Sequence, residues 1–115
     1  MTAEEIRDYM IGYHSHLQTI IMDGEGRADE FEPCAGDASI VIFKQGAGEG
    51  REEKCRRALK VALDIAGAIE SGRIPFTRIG IYAGDIIEAP FGGLTLRFGS
   101  CFAAANRLEE LCAYF

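Results

Sequence analysis

The chain has 115 residues, 48% apolar and 26% charged, which suits one modest core and excludes a disordered or fibrous protein. Twelve Lys and Arg against 18 Asp and Glu leave a net charge of -6, the wrong sign for a general nucleic-acid binder that must neutralise phosphates. No apolar run approaches the roughly 20 residues of a membrane span, and the acidic start Met1-Thr2-Ala3-Glu4-Glu5 is unlike a secretion signal. Cys34, Cys55, Cys101 and Cys112 show neither C-x-x-C pairing nor zinc-ligand spacing. They read as reduced, mostly buried thiols of a cytoplasmic protein.

In chain order, Thr2 and Glu5 form a capping box that opens a first helix. Ile6, Tyr9, Met10, Tyr13, Leu17 and Ile20 make its apolar stripe, and Asp23-Gly24 ends it. His14 and His16 lie two apart and so point to different sides, which reads as two partly exposed histidines rather than a metal pair. An edge strand is expected around Glu30-Phe31-Glu32 and a buried strand over Ala38–Phe43, with Gly36-Asp37 turning between them. Gly46-Ala47-Gly48-Glu49-Gly50 reads as a flexible surface loop. No Lys-Ser or Lys-Thr follows it, so it is a weak phosphate cradle.

Arg51 to Ser71 is the clearest helix, with Cys55, Ala58, Leu59, Ala62, Ile65, Ala66 and Ile69 on its inner face and Gly72 as its C-terminal cap. Lys54, Arg56, Arg57 and Lys60 are expected mostly on the solvated side. The alternation of Arg78, Gly80 and Tyr82 with Ile79, Ile81 and Ala83 predicts a central strand, and Gly84-Asp85 a tight turn into Ile86-Ile87. Ala89–Gly93 reads as a further turn before a segment Leu94–Phe98. The last helix runs from Gly99 to Tyr114, with Cys101, Ala104, Ala105, Leu108, Leu111 and Cys112 inward. The whole is expected to be a single α+β domain over residues 1–115.

Three stretches in this order resemble the catalytic domain of class III adenylate and guanylate cyclases. Gly36-Asp37 with its buried strand resembles the family's G-D hairpin. R-I-G-I-Y-A-G-D-I-I, Arg78 to Ile87, is close to R-x-G-I-x-x-G-[ED]-[VI]. G-S-C-F-A-A-A-N-R-L-E, Gly99 to Glu109, resembles the helix start G-x-x-V-N-x-A-x-R-L-E. The resemblance implies a ferredoxin-like cyclase homology domain that turns ATP or GTP into a cyclic nucleotide and pyrophosphate with Mg²⁺ or Mn²⁺. In such chemistry carboxylate-held metals activate the ribose 3′-hydroxyl, and an arginine steadies charge on the α-phosphate.

Carried over by position, Asp37 matches a metal-binding aspartate and Arg107 the transition-state arginine. The ribose-orienting asparagine falls on Ala103, and the purine-reading lysine and aspartate fall on Pro33 and near Leu96. None of these three side chains can make the hydrogen bonds required. Each has a plain structural alternative, Asp37 as a turn residue and Arg107 as a surface partner of Glu109 or Glu110. Relative to the family, the first strand with its other metal aspartate and the strands after the last helix are absent, so the domain is expected to be truncated at both ends. A missing central strand would leave a gap of about 10 Å.

The resemblance also implies a homodimer, since the family's site lies between two subunits. The cluster of Phe91, Phe98, Phe102, Tyr114 and Phe115 supports this independently as surplus apolar surface. Phe98 and Phe102 are expected at the interface, with Arg107 toward the partner's Asp37. Three functions therefore compete: a cyclase completed by residues outside this chain, a non-catalytic module for dimerisation or regulation, and a binding domain alike in fold only. An RNA-recognition domain would need exposed aromatics on strands of the kind K-G-F-G-F-V, and no such segment is present.

Overall fold

The computed structural model describes residues 1–34 and 38–111. The chain is α+β, in two compact units, Met1–Phe76 and Thr77–Phe115. Its order is α1 (Ala3–Asp23), β1 (Glu30–Pro33), β2 (Ser39–Ile42), α2 (Arg51–Glu70), β3 (Ile87–Phe91), β4 (Leu94–Phe98) and α3 (Ser100–Leu111). The described strands form two separate antiparallel pairs, β1 with β2 and β3 with β4.

In the first unit, α1 begins at the expected capping box. The Glu5 amide donates to Thr2 Oγ1 at 3.1 Å, and the Thr2 amide to Glu5 Oε1 at 3.4 Å. Two donors that a helix start leaves open are thereby satisfied. Leu17 and Ile21 are buried on its inner face. Ile6 and Tyr9, expected on the same stripe, are exposed, Tyr9 at the edge of an open cleft that Ile74 and Pro75 also line. His14 is half-buried, its ring 3.3 Å from Ser39 Oγ, and His16 is exposed.

After α1 the chain folds back, the Ala28 amide donating to the Ile21 carbonyl at 2.9 Å. Strands β1 and β2 then pair with Phe31 opposite Val41 and Glu32 opposite Ile40. Leu17, Ile21, Ala28, Ile42, Val61, Ile65, Ala68 and Ile74 make the core of this unit.

Helix α2 is rotated from the face its periodicity predicts. Ile65 is buried as expected, but so are Val61 and Ala68, while Cys55, Leu59 and Ala66 are exposed. Arg57 accounts for the difference, for it lies on the packed side and not on a solvated one. Its guanidinium grips Glu49 through both carboxylate oxygens, at 2.7 and 3.0 Å. It also donates to the carbonyls of Arg27 and Lys44, at 2.5 and 2.8 Å. Asp29 stands 3.4 Å away, and the Phe43 ring lies beneath at 5.7 Å from the guanidinium carbon to the ring centroid. Glu49 in turn accepts the Gly46 amide at 2.9 Å, so the glycine loop expected to be flexible is tied down. The cysteines differ too: Cys101 is buried, whereas Cys34 and Cys55 are exposed.

The end of α2 follows expectation. The Gly72 amide donates to the Ile69 carbonyl at 3.1 Å and the Arg73 amide to Ala68 at 2.9 Å, the paired bonds of a Schellman ending. Gly72 has φ +78 with nothing near its missing Cβ, so only backbone conformation demands glycine there. Gly72→Ala should therefore cost about 1–2 kcal/mol in denaturant unfolding. Gly67→Ala, inside α2 with equally open space, should add about 0.5–1 kcal/mol.

A pH response follows from the same unit. The Arg57 hydrogen bonds, then that from the Gly46 amide, hold the Glu49 carboxyl below its ordinary value of 4.5. A carboxyl lowered on folding stabilises above its unfolded value and loses that contribution as pH falls toward its folded one. Thermal midpoints of wild type and Glu49→Gln should thus differ most above pH 4.5 and converge as pH falls below it.

Candidate functional site

The second unit holds most of the residues singled out by sequence. Thr77–Ile86, which contains the expected central strand Arg78–Ala83 and the expected turn Gly84-Asp85, carries no regular secondary structure. It runs antiparallel along α3 instead. Arg78 Nε lies 2.8 Å from Glu109 Oε1 near one end, and Cys101 Sγ lies 3.6 Å from the Asp85 carbonyl at the other. A Cβ on Gly80 would overlap the Ala105 carbonyl oxygen and the Glu109 amide, and one on Gly84 would sit 2.5 Å from Cys101 Sγ. The two glycines, four residues apart, meet the helix at Ala105 and Cys101, also four apart. They are there so that backbone can lie on backbone, an alternative to strand pairing that alternation alone does not reveal.

The hairpin lies further on than expected. Gly92-Gly93, with φ +51 and +80, form the two-residue loop of a tight hairpin. Ile87 pairs with Phe98, Ala89 with Leu96 and Phe91 with Leu94. Since paired residues share a face, one face reads Ile87, Ala89, Phe91, Leu94, Leu96 and Phe98, wholly apolar. The other carries Glu88 with Arg97 and Pro90 with Thr95.

The polar face is the more enclosed at its base. The Arg97 and Glu88 side chains are 19% and 31% exposed, against 69% for Ile87 and 52% for Phe98 on the apolar face. Phe91 and Leu94 at the turn are more open still than Phe98, and Leu96 is exposed as well. Burying each such side chain is worth about 1.5–3 kcal/mol. Left in water, this face forgoes that gain.

The predicted site residues fall as follows. Arg107 and Ala103 are exposed on α3, one turn apart, so they share a face. Arg107 makes no ion pair among the described residues. The two acids considered as its partners are engaged elsewhere, Glu109 by Arg78 and Glu110 by the Asn106 amide at 3.1 Å. Phe102 is half-buried on α3; Leu96 and Phe98 belong to the apolar face of β4.

Pro33 is in the first unit, at the rim of an open cleft of about 430 Å³ that Met10, Ile11, His14 and Phe31 also line. Asp37, Tyr114 and Phe115 lie outside the described residues. Sequence reasoning missed Ile87 and Leu94 as surface residues. The signal was present in I-E-A-P-F-G-G-L-T-L-R-F, alternating strictly on both sides of a glycine pair.

Among the described residues no three or more His, Cys, Asp or Glu converge as ligands of a metal would. They therefore supply no donor set for Mg²⁺ or Mn²⁺. No helix of the described residues is long and apolar enough to cross a membrane. No protein-family model matches the chain, nor does any curated protein or solved structure.

The glycine contacts give a direct test. Gly80→Ala should loosen Thr77–Ile86 from α3 and cost about 1–3 kcal/mol, as overpacking does. Hydrogen exchange should rise over α3 while α1 and α2 keep their protection. Protection of α3 unchanged from wild type would contradict the close approach.

Proposed function

We propose that this chain is a cyclase-homology module of the class III nucleotidyl cyclase type that acts by association, with little or no turnover of its own. The family part of this reading is supported by the three motifs in chain order. The observation that carries the loss of turnover is the shared face of Ala103 and Arg107 on α3. That face would offer a phosphate its arginine but a ribose only a methyl group, which makes no hydrogen bond. Pro33 and Leu96 likewise cannot read a purine edge. Pairing with another polypeptide fits the uncovered hairpin face, and a ferredoxin-like arrangement completed by further strands belongs to the same proposal.

A second reading, a cyclase whose missing parts come from outside this chain, draws support from Arg107. An exposed guanidinium whose neighbouring acids are occupied is available to a triphosphate. Asp37 would then contribute to holding Mg²⁺ or Mn²⁺.

Incubation with ATP or GTP and Mn²⁺, followed by product analysis, tests the first reading, and nucleotide binding separates it from the second. The module reading expects no cyclic nucleotide. Turnover near 1 s⁻¹, ordinary for an enzyme, would overturn it. Under the second reading, wild type should bind a labelled nucleoside triphosphate and Arg107→Ala should lose about tenfold or more in affinity, as removal of a charged contact does.

A further inference from the structure

We infer that the cleft between the middle of α1 and the segment following α2 binds a small aromatic carboxylate. The site belongs wholly to the first unit and depends on neither reading given above. Its volume is about 320 Å³, at the small-molecule end of binding pockets. On the α1 side it is lined by Tyr9, Gly12, Tyr13 and His16, and on the other side by Arg73, Ile74 and Pro75.

Both sides are held in place before anything binds. Tyr13 packs edge-on against His14, ring centroids 5.2 Å apart, and His14 Nδ1 lies 3.3 Å from Ser39 Oγ. Across the cleft the Arg73 and Ile74 amides both donate to the Ala68 carbonyl, and the Ile74 side chain is buried. A site formed in advance loses little to ordering when a ligand arrives.

Gly12 is the residue that points to an occupant. It lies in the interior of α1, where glycine is less favourable than alanine. Nothing stands within 4 Å of the Cβ it lacks, so packing among the described residues does not call for glycine, and a helical backbone does not either. The missing side chain instead deepens the cleft beside Tyr9 and Tyr13, which are four residues apart and so share a face. A planar ring can lie there against helix backbone, with tyrosine and proline surface around it.

Charge defines the rest of the ligand. Arg73 Nε donates to Ser71 Oγ at 3.0 Å, which orients the guanidinium, and its other N–H groups meet no acceptor among the described residues. His16 likewise makes no hydrogen bond among them. Asp8, the one acid among the described lining residues, is engaged by Arg7 at 3.0 Å. One guanidinium and one imidazole match a single carboxylate. A dianion is less suited, with Asp8 nearby and a net charge of -6 on the chain.

Indole-3-propionate is the probe, because the chain has no tryptophan and indole fluorescence then reports the ligand alone. Titration with the full chain should give a dissociation constant of about 1 mM or tighter, as ordinary efficiency allows a ligand of this size. Indole-3-propanamide keeps the shape without the charge and should bind about tenfold or more weakly. Arg73→Gln should bring the affinity for the acid down to that for the amide, a convergence that loss of structure would not produce. Gly12→Ala should raise the thermal midpoint yet weaken binding about tenfold or more, because a methyl group enters the cleft. Gly67→Ala, equally open but outside this cleft, should raise the midpoint and leave binding unchanged.

Absence of binding at about 5 mM probe, equal affinity for acid and amide, or tighter binding of phenyl phosphate would each overturn the inference. So would wild-type affinity in both Gly12→Ala and Arg73→Gln. No nucleotide enters this assay, so its failure leaves the cyclase-type reading standing, and failure of that reading leaves this site standing.

Discussion

The Arg57 guanidinium is the constraint on which the first unit depends. A charged group at a half-buried position is tolerated only when its donors are met, and here a fork of planar N–H groups meets Glu49 and two backbone carbonyls. Those carbonyls belong to segments that would otherwise have few fixed bonds, the return after α1 and the approach to α2. One side chain therefore sets the rotation of α2, the position of the glycine loop and the path into β1. A lysine at this position could offer charge but not the fork.

This explains why the helices were legible in the sequence and their faces were not. The capping box at Thr2 and Glu5 and the stop at Gly72 are local, and each fixes a boundary with a few atoms. A stripe through Cys55, Leu59, Ile65 and Ala66 and a stripe through Val61, Ile65 and Ala68 share Ile65, are both apolar and have centres about one residue apart around α2. Periodicity cannot choose between them. The choice is made by Arg57, whose partners lie 8 to 31 residues away along the chain, and residue spacing carries no information at that range.

The second unit shows the same limit in another form. Arg78–Ala83 has the alternation of a strand, yet Gly80 and Gly84 let it lie directly on α3, where the Arg78–Glu109 ion pair and close backbone approach hold it without strand pairing. In the hairpin the pattern was complete, but the glycine pair was assigned to the end of one turn rather than to the centre of a two-residue loop. Shifting that centre converts a presumed loop into β3 and turns isolated phenylalanines into one continuous face. As for the site, the sequence showed which groups Ala103, Pro33 and Leu96 cannot provide. That Glu109 and Glu110 are engaged elsewhere, leaving Arg107 without an ion pair among the described residues, required the structure.

The ending of α2 has a mechanical consequence. By Ile74 the backbone has already returned its amides to the Ala68 carbonyl, the Arg73 bond at 2.9 Å and the Ile74 bond at 3.3 Å, with the Ile74 side chain buried as a plug. The first unit is thus sealed two residues before its boundary at Phe76. A pull on the chain beyond that point meets a closed hydrogen-bonded loop and an anchored side chain instead of a fraying helix end. Strain entering along the chain at Phe76 is thereby stopped at the edge of the first unit, short of Val61, Ile65 and Ala68.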